Sequence, residues 1–111
     1  MSKKIIYKKH LLKGRFYLHD DRNGGHPAYL YKKIDRKNKY YIVLFTTSKG
    51  FKRKKLKHGI EIASQKQNYV RTSPFVTKRR ELSKKELTRF KINKEDKPLI
   101  KYIERKKPAN E

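Results

Sequence analysis

The stretch "YYIVLFTT", Tyr40 to Thr47, limits the fold more than any other part of this chain. Its eight residues are all β-branched, aromatic or leucine. Such a run suits a pleated strand covered on both faces rather than on one. Its neighbours carry strand signals too. "RFYLHD" is a short strand closed by the turn cluster "DDRNGG". "PAYLYKKI" follows, with Ala28 and Leu30 on one face, and Lys32 expected to join them. Tyr29, Tyr31 and Lys33 fall on the other. "DRKNK" reads as the polar loop of a hairpin leading into the Tyr40 strand.

Beyond it, "IEIA" alternates as a short strand. "NYVRTSPFVTKRREL" reads as one bent strand or two, because Pro74 cannot donate to a ladder. Two helix starts come next. "SKKELTRF" offers Ser83 as N-cap with Glu86 three residues on. "NKEDKPLIKYIER" offers Asn93 and Asp96 in the same relation, with Leu99, Ile100 and Ile103 forming one apolar face. Pro98 sits too late for the first turn of a helix begun at Asn93, so a displaced start is expected. Four to six short strands followed by one or two short helices describe a mainly β protein, a small barrel or compact half-open sheet. With 111 residues, one domain is expected: a basic arm over 1–13, a folded body over 14–104 and a flexible tail over 105–111.

Charge narrows the partners. The 33 Lys and Arg residues against 10 Asp and Glu leave a net charge of +23. Such a surplus repels itself in a compact body unless a polyanion is bound. Nucleic acid is the expected partner, since each cation placed on a phosphate releases condensed counterions. An anionic membrane is the weaker candidate: the aromatics fall on no single amphipathic helix, and no apolar run approaches the ~18 residues that span a bilayer. The absence of cysteine excludes disulfides, thiolate chemistry and cysteine-ligated zinc. "MSKKIIYKKHLLKG" lacks the apolar core of a signal peptide, so a cytoplasmic protein is expected.

The densest cationic run, which reads as a loop or an exposed hairpin, holds Lys49, Lys52, Arg53, Lys54, Lys55 and Lys57, with Phe51 among them. Like charges at that density need solvent or phosphates around them, and an exposed ring inside the run can stack on an unpaired base. A solubilising loop is the simpler alternative. Lys78, Arg79 and Arg80 form a second cluster, which on a shared face would complete a cationic trough. Most of the eight tyrosines are expected to pack in the core or across strands. The four histidines, at 10, 19, 26 and 58, follow no metal-binding spacing, and neither a metal nor another cofactor is expected.

RNA cleavage itself needs no metal. The ribose 2′-hydroxyl attacks its own phosphate when one group takes its proton, another protonates the leaving oxygen, and cations hold the phosphorane. His26, Arg22, Thr46, Thr47 and Ser48 are residues of that kind, and antiparallel pairing of the second and third strands would bring His26 and Thr46 to one edge.

The ordered series "KGRFYLHDDRNGGHPAYLY", "YYIVLFTTSKG" and "YVRTSPFVTKRRELSKKELTRF" resembles the MazF/PemK (Kid-like) toxin endoribonucleases, from about Gly14 to Ile103. "GGHPA" is similar to the family's Gly-rich loop end, "FTTSKG" to its threonine element and "ELSKKEL" to its helix opening. The resemblance implies a small SH3-like barrel, often dimeric, that cuts single-stranded RNA without a metal and leaves a cyclic phosphate. It also implies an antitoxin partner, expected to be acidic. The family's threonine falls on Thr46 or Thr47. Its arginine before the proline is His26 here, which lacks arginine's permanent forked charge. His26 would then act as acid or base, with Arg22 as the cation. The alternative is a non-catalytic RNA- or DNA-binding barrel of a phage, mobile element or ribosome.

Overall fold

The computed structural model describes residues 11–20, 25–60 and 67–111. Six strands and one helix make up the body: β1 (Phe16–His19), β2 (His26–Ile34), β3 (Lys39–Thr46), β4 (Arg53–Lys55), β5 (Tyr69–Arg71), β6 (Phe75–Lys78) and α1 (Lys97–Glu104). All pairings are antiparallel, in the order β1-β2-β3-β5-β4, with β6 also paired to β3.

The Tyr40 run forms the centre of this sheet. Ile42, Val43 and Phe45 are completely buried, and Leu44 and Thr46 nearly so. Alternate side chains enter two separate clusters. Val43 and Phe45 meet Phe16, Val70, Leu56, Ile60 and the α1 residues Ile100 and Ile103. Ile42 and Leu44 meet Tyr17, Ala28, Leu30, Leu11 and Leu82 on the other face. Removing the Phe45 ring would therefore cost about 3–5 kcal/mol.

β2 pairs with β3 from Ala28–Leu44 to Ile34–Lys39, and the register shifts by one residue between Leu30 and Lys32. This bulge ends the alternation expected for β2: Ala28 and Leu30 are buried, whereas Lys32 is exposed with its ammonium 5.2 Å from the Tyr41 ring centroid. The hairpin loop is a 3-10 turn at Asp35–Lys37 followed by Asn38 at φ +52.

The second edge of β3 is divided. β6 occupies Lys39 to Ile42 and β5 occupies Phe45 to Thr46. Pro74 separates these two strands, in agreement with the bend expected there. Of the "IEIA" segment only Ile60 lies within the described residues, where it is core.

The helix expected over 83–90 does not form. The chain instead follows the free edge of β1: Asp20 N–H donates to Glu81 O at 2.7 Å, Ser83 N–H to Leu18 O at 2.8 Å, and Leu87 N–H to Phe16 O at 2.8 Å. The Ser83 hydroxyl accepts the Leu18 amide at 2.9 Å rather than capping a helix. An open strand edge supplies more partners than a two-turn helix, whose nucleation is costly.

The second helix forms with its start displaced to Lys97, placing Pro98 in the first turn. Ile100 and Ile103 are buried as expected. Residues 105–111, expected to run free, instead pack back on β6. Ala109 N–H donates to Pro74 O at 2.9 Å, and the Asn110 amide both accepts from Val76 N and donates to Val76 O. At the other end Leu11 is core, so the expected arm already joins the body there.

Candidate nucleic-acid interface and its histidine cluster

Antiparallel partners project to the same face. Thr46 pairs with Tyr69, and Tyr69 pairs with Lys55, so these three side chains form one row across β3, β5 and β4. Arg53 and Arg71 pair two positions away and share that face. Between the two rows, Val70 and Phe45 point into the core. The expected basic loop is therefore partly an edge strand, with alternate cations fixed in direction.

Three hydrogen bonds anchor its turn: the Thr72 N–H and hydroxyl donate to Lys52 O at 3.0 and 3.1 Å, and the Arg53 guanidinium donates to Ser48 O at 3.1 Å. Phe51, at the tip, is 87% exposed and lies under the Lys52 ammonium, 5.4 Å from its ring centroid. Arg71 covers the Phe75 ring at 5.1 Å. Lys49, Lys54 and Lys57 are exposed around this edge. The base of the strand is pinned by the buried carboxylate of Asp96, which accepts the Lys57 and His58 amides at 2.6 and 3.0 Å.

His26 and Thr46 each lie two residues beyond the Ala28–Leu44 rung, at the same end of the β2–β3 pair and on the same face by alternation. No hydrogen bond joins them among the described residues. His26 is exposed, while Thr46 is only 5% exposed and its hydroxyl accepts a long 3.5 Å contact from Ser48 N–H. Arg22 and Gly24 fall outside the described residues. Gly25 has φ +49, and a β-carbon there would lie 2.7 Å from His19 O and 2.9 Å from Leu18 Cγ. The turn before His26 thus needs glycine for both its backbone angle and its close approach to β1.

The direct partner of His26 is His19, at the end of β1. Sequence reasoning gave His19 no role. Its Nε2 lies 3.1 Å from Thr77 Oγ1, and that hydroxyl donates to Glu81 Oε1 at 2.7 Å. The Lys78 backbone N–H donates to the same carboxylate oxygen at 3.1 Å. Burial pushes the His19 imidazole below its ordinary value, against the opposing charges of Glu81 and Asp20, and neighbouring His26 pushes it down further. The Thr77 and Lys78 hydrogen bonds, with the charges of His19 and Arg80, hold the Glu81 carboxyl below its usual range against the effect of desolvation.

The Lys78–Arg79–Arg80 cluster immediately precedes Glu81, and the Arg80 charge acts on its carboxylate. Lys78 pairs with Lys39 at the start of β3, whereas β5 and β4 adjoin its end. The two basic clusters accordingly flank different stretches of β3. Among the described residues, no group of three or more His, Asp and Glu side chains is arranged to hold a metal ion, and no helix is long and apolar enough to cross a membrane.

No protein-family model matches this chain, nor does any curated protein or solved structure in the comparisons made. The charge, the exposed ring and the cross-strand rows are therefore its own indications of function.

Proposed function

We propose that the protein binds single-stranded RNA across the β3–β5–β4 face and cleaves it, without a metal, at the end of the β2–β3 pair where His26 stands. The observation that carries this reading is the Thr46–Tyr69–Lys55 row beside the Arg53–Arg71 pair, with Phe51 exposed at the same edge. Regularly spaced cations can follow a phosphate backbone while Phe51 and Tyr69 offer ring faces to unpaired bases. His26 exchanges a proton with the reacting oxygens, Thr46 lies at the same strand end, and Arg22, four residues earlier in sequence, supplies the cation in place of the family's arginine, whose position His26 holds.

The toxin-like reading brings further proposals: an SH3-like barrel, an acidic antitoxin occupying the cationic face, a homodimer, and a cytoplasmic location. The bonding of residues 81–87 along β1 supports the barrel, since it carries the chain after β6 back to the opposite edge of the sheet.

Incubating purified protein with labelled single-stranded RNA in EDTA tests the activity. The expected products end in a 2′,3′-cyclic phosphate and a 5′-hydroxyl. Tight, steeply salt-dependent binding without any product would instead establish the non-catalytic nucleic-acid-binding alternative.

A further inference from the structure

The relay behind His26 fixes the protonation of its neighbour. An ionised carboxylate can only accept, so the single Thr77 hydrogen is committed to Glu81 at 2.7 Å. The Thr77 oxygen then faces His19 Nε2 with lone pairs, and the 3.1 Å contact requires Nε2 to donate. In the neutral ring the proton therefore sits on Nε2, and the lone pair is left on Nδ1. His19 and His26 are antiparallel partners on one face, which places their Cα atoms about 4.5–5.5 Å apart. His19 is half-buried and His26 exposed. Lys78 and Arg80, both exposed, precede Glu81 in sequence.

We propose that His19 is the base that partners His26 in RNA cleavage, with Thr77 and Glu81 as positioning residues. This rests on the cleavage reading above and extends it to a residue that neither the motifs nor the resemblance singled out. In the step, His19 Nδ1 takes the proton of the ribose 2′-hydroxyl as the 2′-oxygen forms a bond to phosphorus. The bond from phosphorus to the 5′-oxygen breaks, and protonated His26 gives its proton to that leaving oxygen. The products are a 2′,3′-cyclic phosphate and a 5′-hydroxyl. His19 ends protonated and His26 neutral, and exchange with water restores both. The groups facing His19 that set its titration are Glu81, Asp20 and His26.

The test uses the full-length protein and a labelled single-stranded RNA in EDTA. His19→Gln retains a side-chain amide donor for Thr77 but cannot transfer a proton. It is expected to lower kcat by about 100-fold or more, with RNA affinity and melting temperature near wild type. Glu81→Gln removes an anion that favours the imidazolium, so the acidic limb of the rate–pH profile is expected to move to lower pH; an unmoved limb overturns the assignment of that limb to His19. A folded His19→Gln protein that binds RNA and cuts at the wild-type rate overturns the role of His19 while leaving the cleavage reading intact. Wild-type protein that binds RNA but yields no product overturns both. If His19→Gln fails to fold, the wild-type tautomer decides: nitrogen-15 NMR of the histidine rings is expected to show His19 protonated on Nε2, and a proton on Nδ1 overturns the proposal.

Discussion

Asp96 reaches across 39 positions of sequence to accept the backbone amide of Lys57 at 2.6 Å. It is 2% exposed, and its second oxygen accepts the amide of His58. One buried carboxylate thus ties the end of the cationic edge to the start of α1. Asp96→Asn would turn one acceptor into an NH2 group facing an N–H donor. A loss of about 1–3 kcal/mol in urea denaturation is expected, together with faster hydrogen exchange at Lys57 and His58.

Gly25→Ala is expected to destabilise the fold by about 1–3 kcal/mol. The added carbon meets backbone at 2.7 Å and the Leu18 side chain at 2.9 Å, in a conformation with φ +49. Moving His19 O or Leu18 would disturb the strand end where the two histidines pair. Thermal melts and RNA cleavage measured together would show both effects, and an unchanged melting temperature would contradict the crowding described for this turn.

Phe51→Ala should leave the melting temperature unchanged, because the ring is 87% exposed. Its affinity for single-stranded RNA should fall by about 1–3 kcal/mol if the ring stacks on a base. Lys55→Ala should weaken binding to all sequences similarly and reduce the slope of log affinity against log salt by about 0.7. Fluorescence anisotropy at several salt concentrations separates the two behaviours.

The fold should lose stability on acidification from neutral pH. His19 has a lowered native value, so the unfolded chain binds its proton more readily, and the neutral ring's contribution fades as pH falls below about 6.5. Glu81 acts in the same direction further down: its carboxylate contributes above its ordinary value of 4.5, and that contribution disappears as pH falls through the lower native value. Glu104, raised by burial, opposes the trend in the carboxylate range. Denaturation curves between pH 7 and 5, compared with those of His19→Gln, isolate the histidine part; a wild-type curve independent of pH in that interval would refute it.

The central strand was plain in the sequence because Tyr40 to Thr47 leaves no polar face, and the structure uses both faces. The break at Pro74 and the displaced α1 start were legible for a similar reason: proline limits backbone geometry wherever it stands. Ser83 misled, since its spacing to Glu86 is that of a helix cap. That local pattern lost to the unpaired amide of Leu18, 65 residues earlier. The dense charge around Arg53, Lys54 and Lys55 left open a loop or an exposed hairpin, and these three residues pair with Arg71, Val70 and Tyr69. An edge strand can carry charge on its outer positions while its backbone completes the ladder. His19 gave no local sign at all, because its hydrogen-bond partner lies 58 residues away and Glu81 a little further on.

A primary amide offers the same donor and acceptor as a peptide unit, and Asn110 presents both to Val76. The chain thereby supplies one rung of a seventh strand from a single side chain. A neighbouring molecule seeking to extend the sheet at this rim would first have to dislodge that rung, so a few residues beyond α1 serve as a guard against self-association through β6.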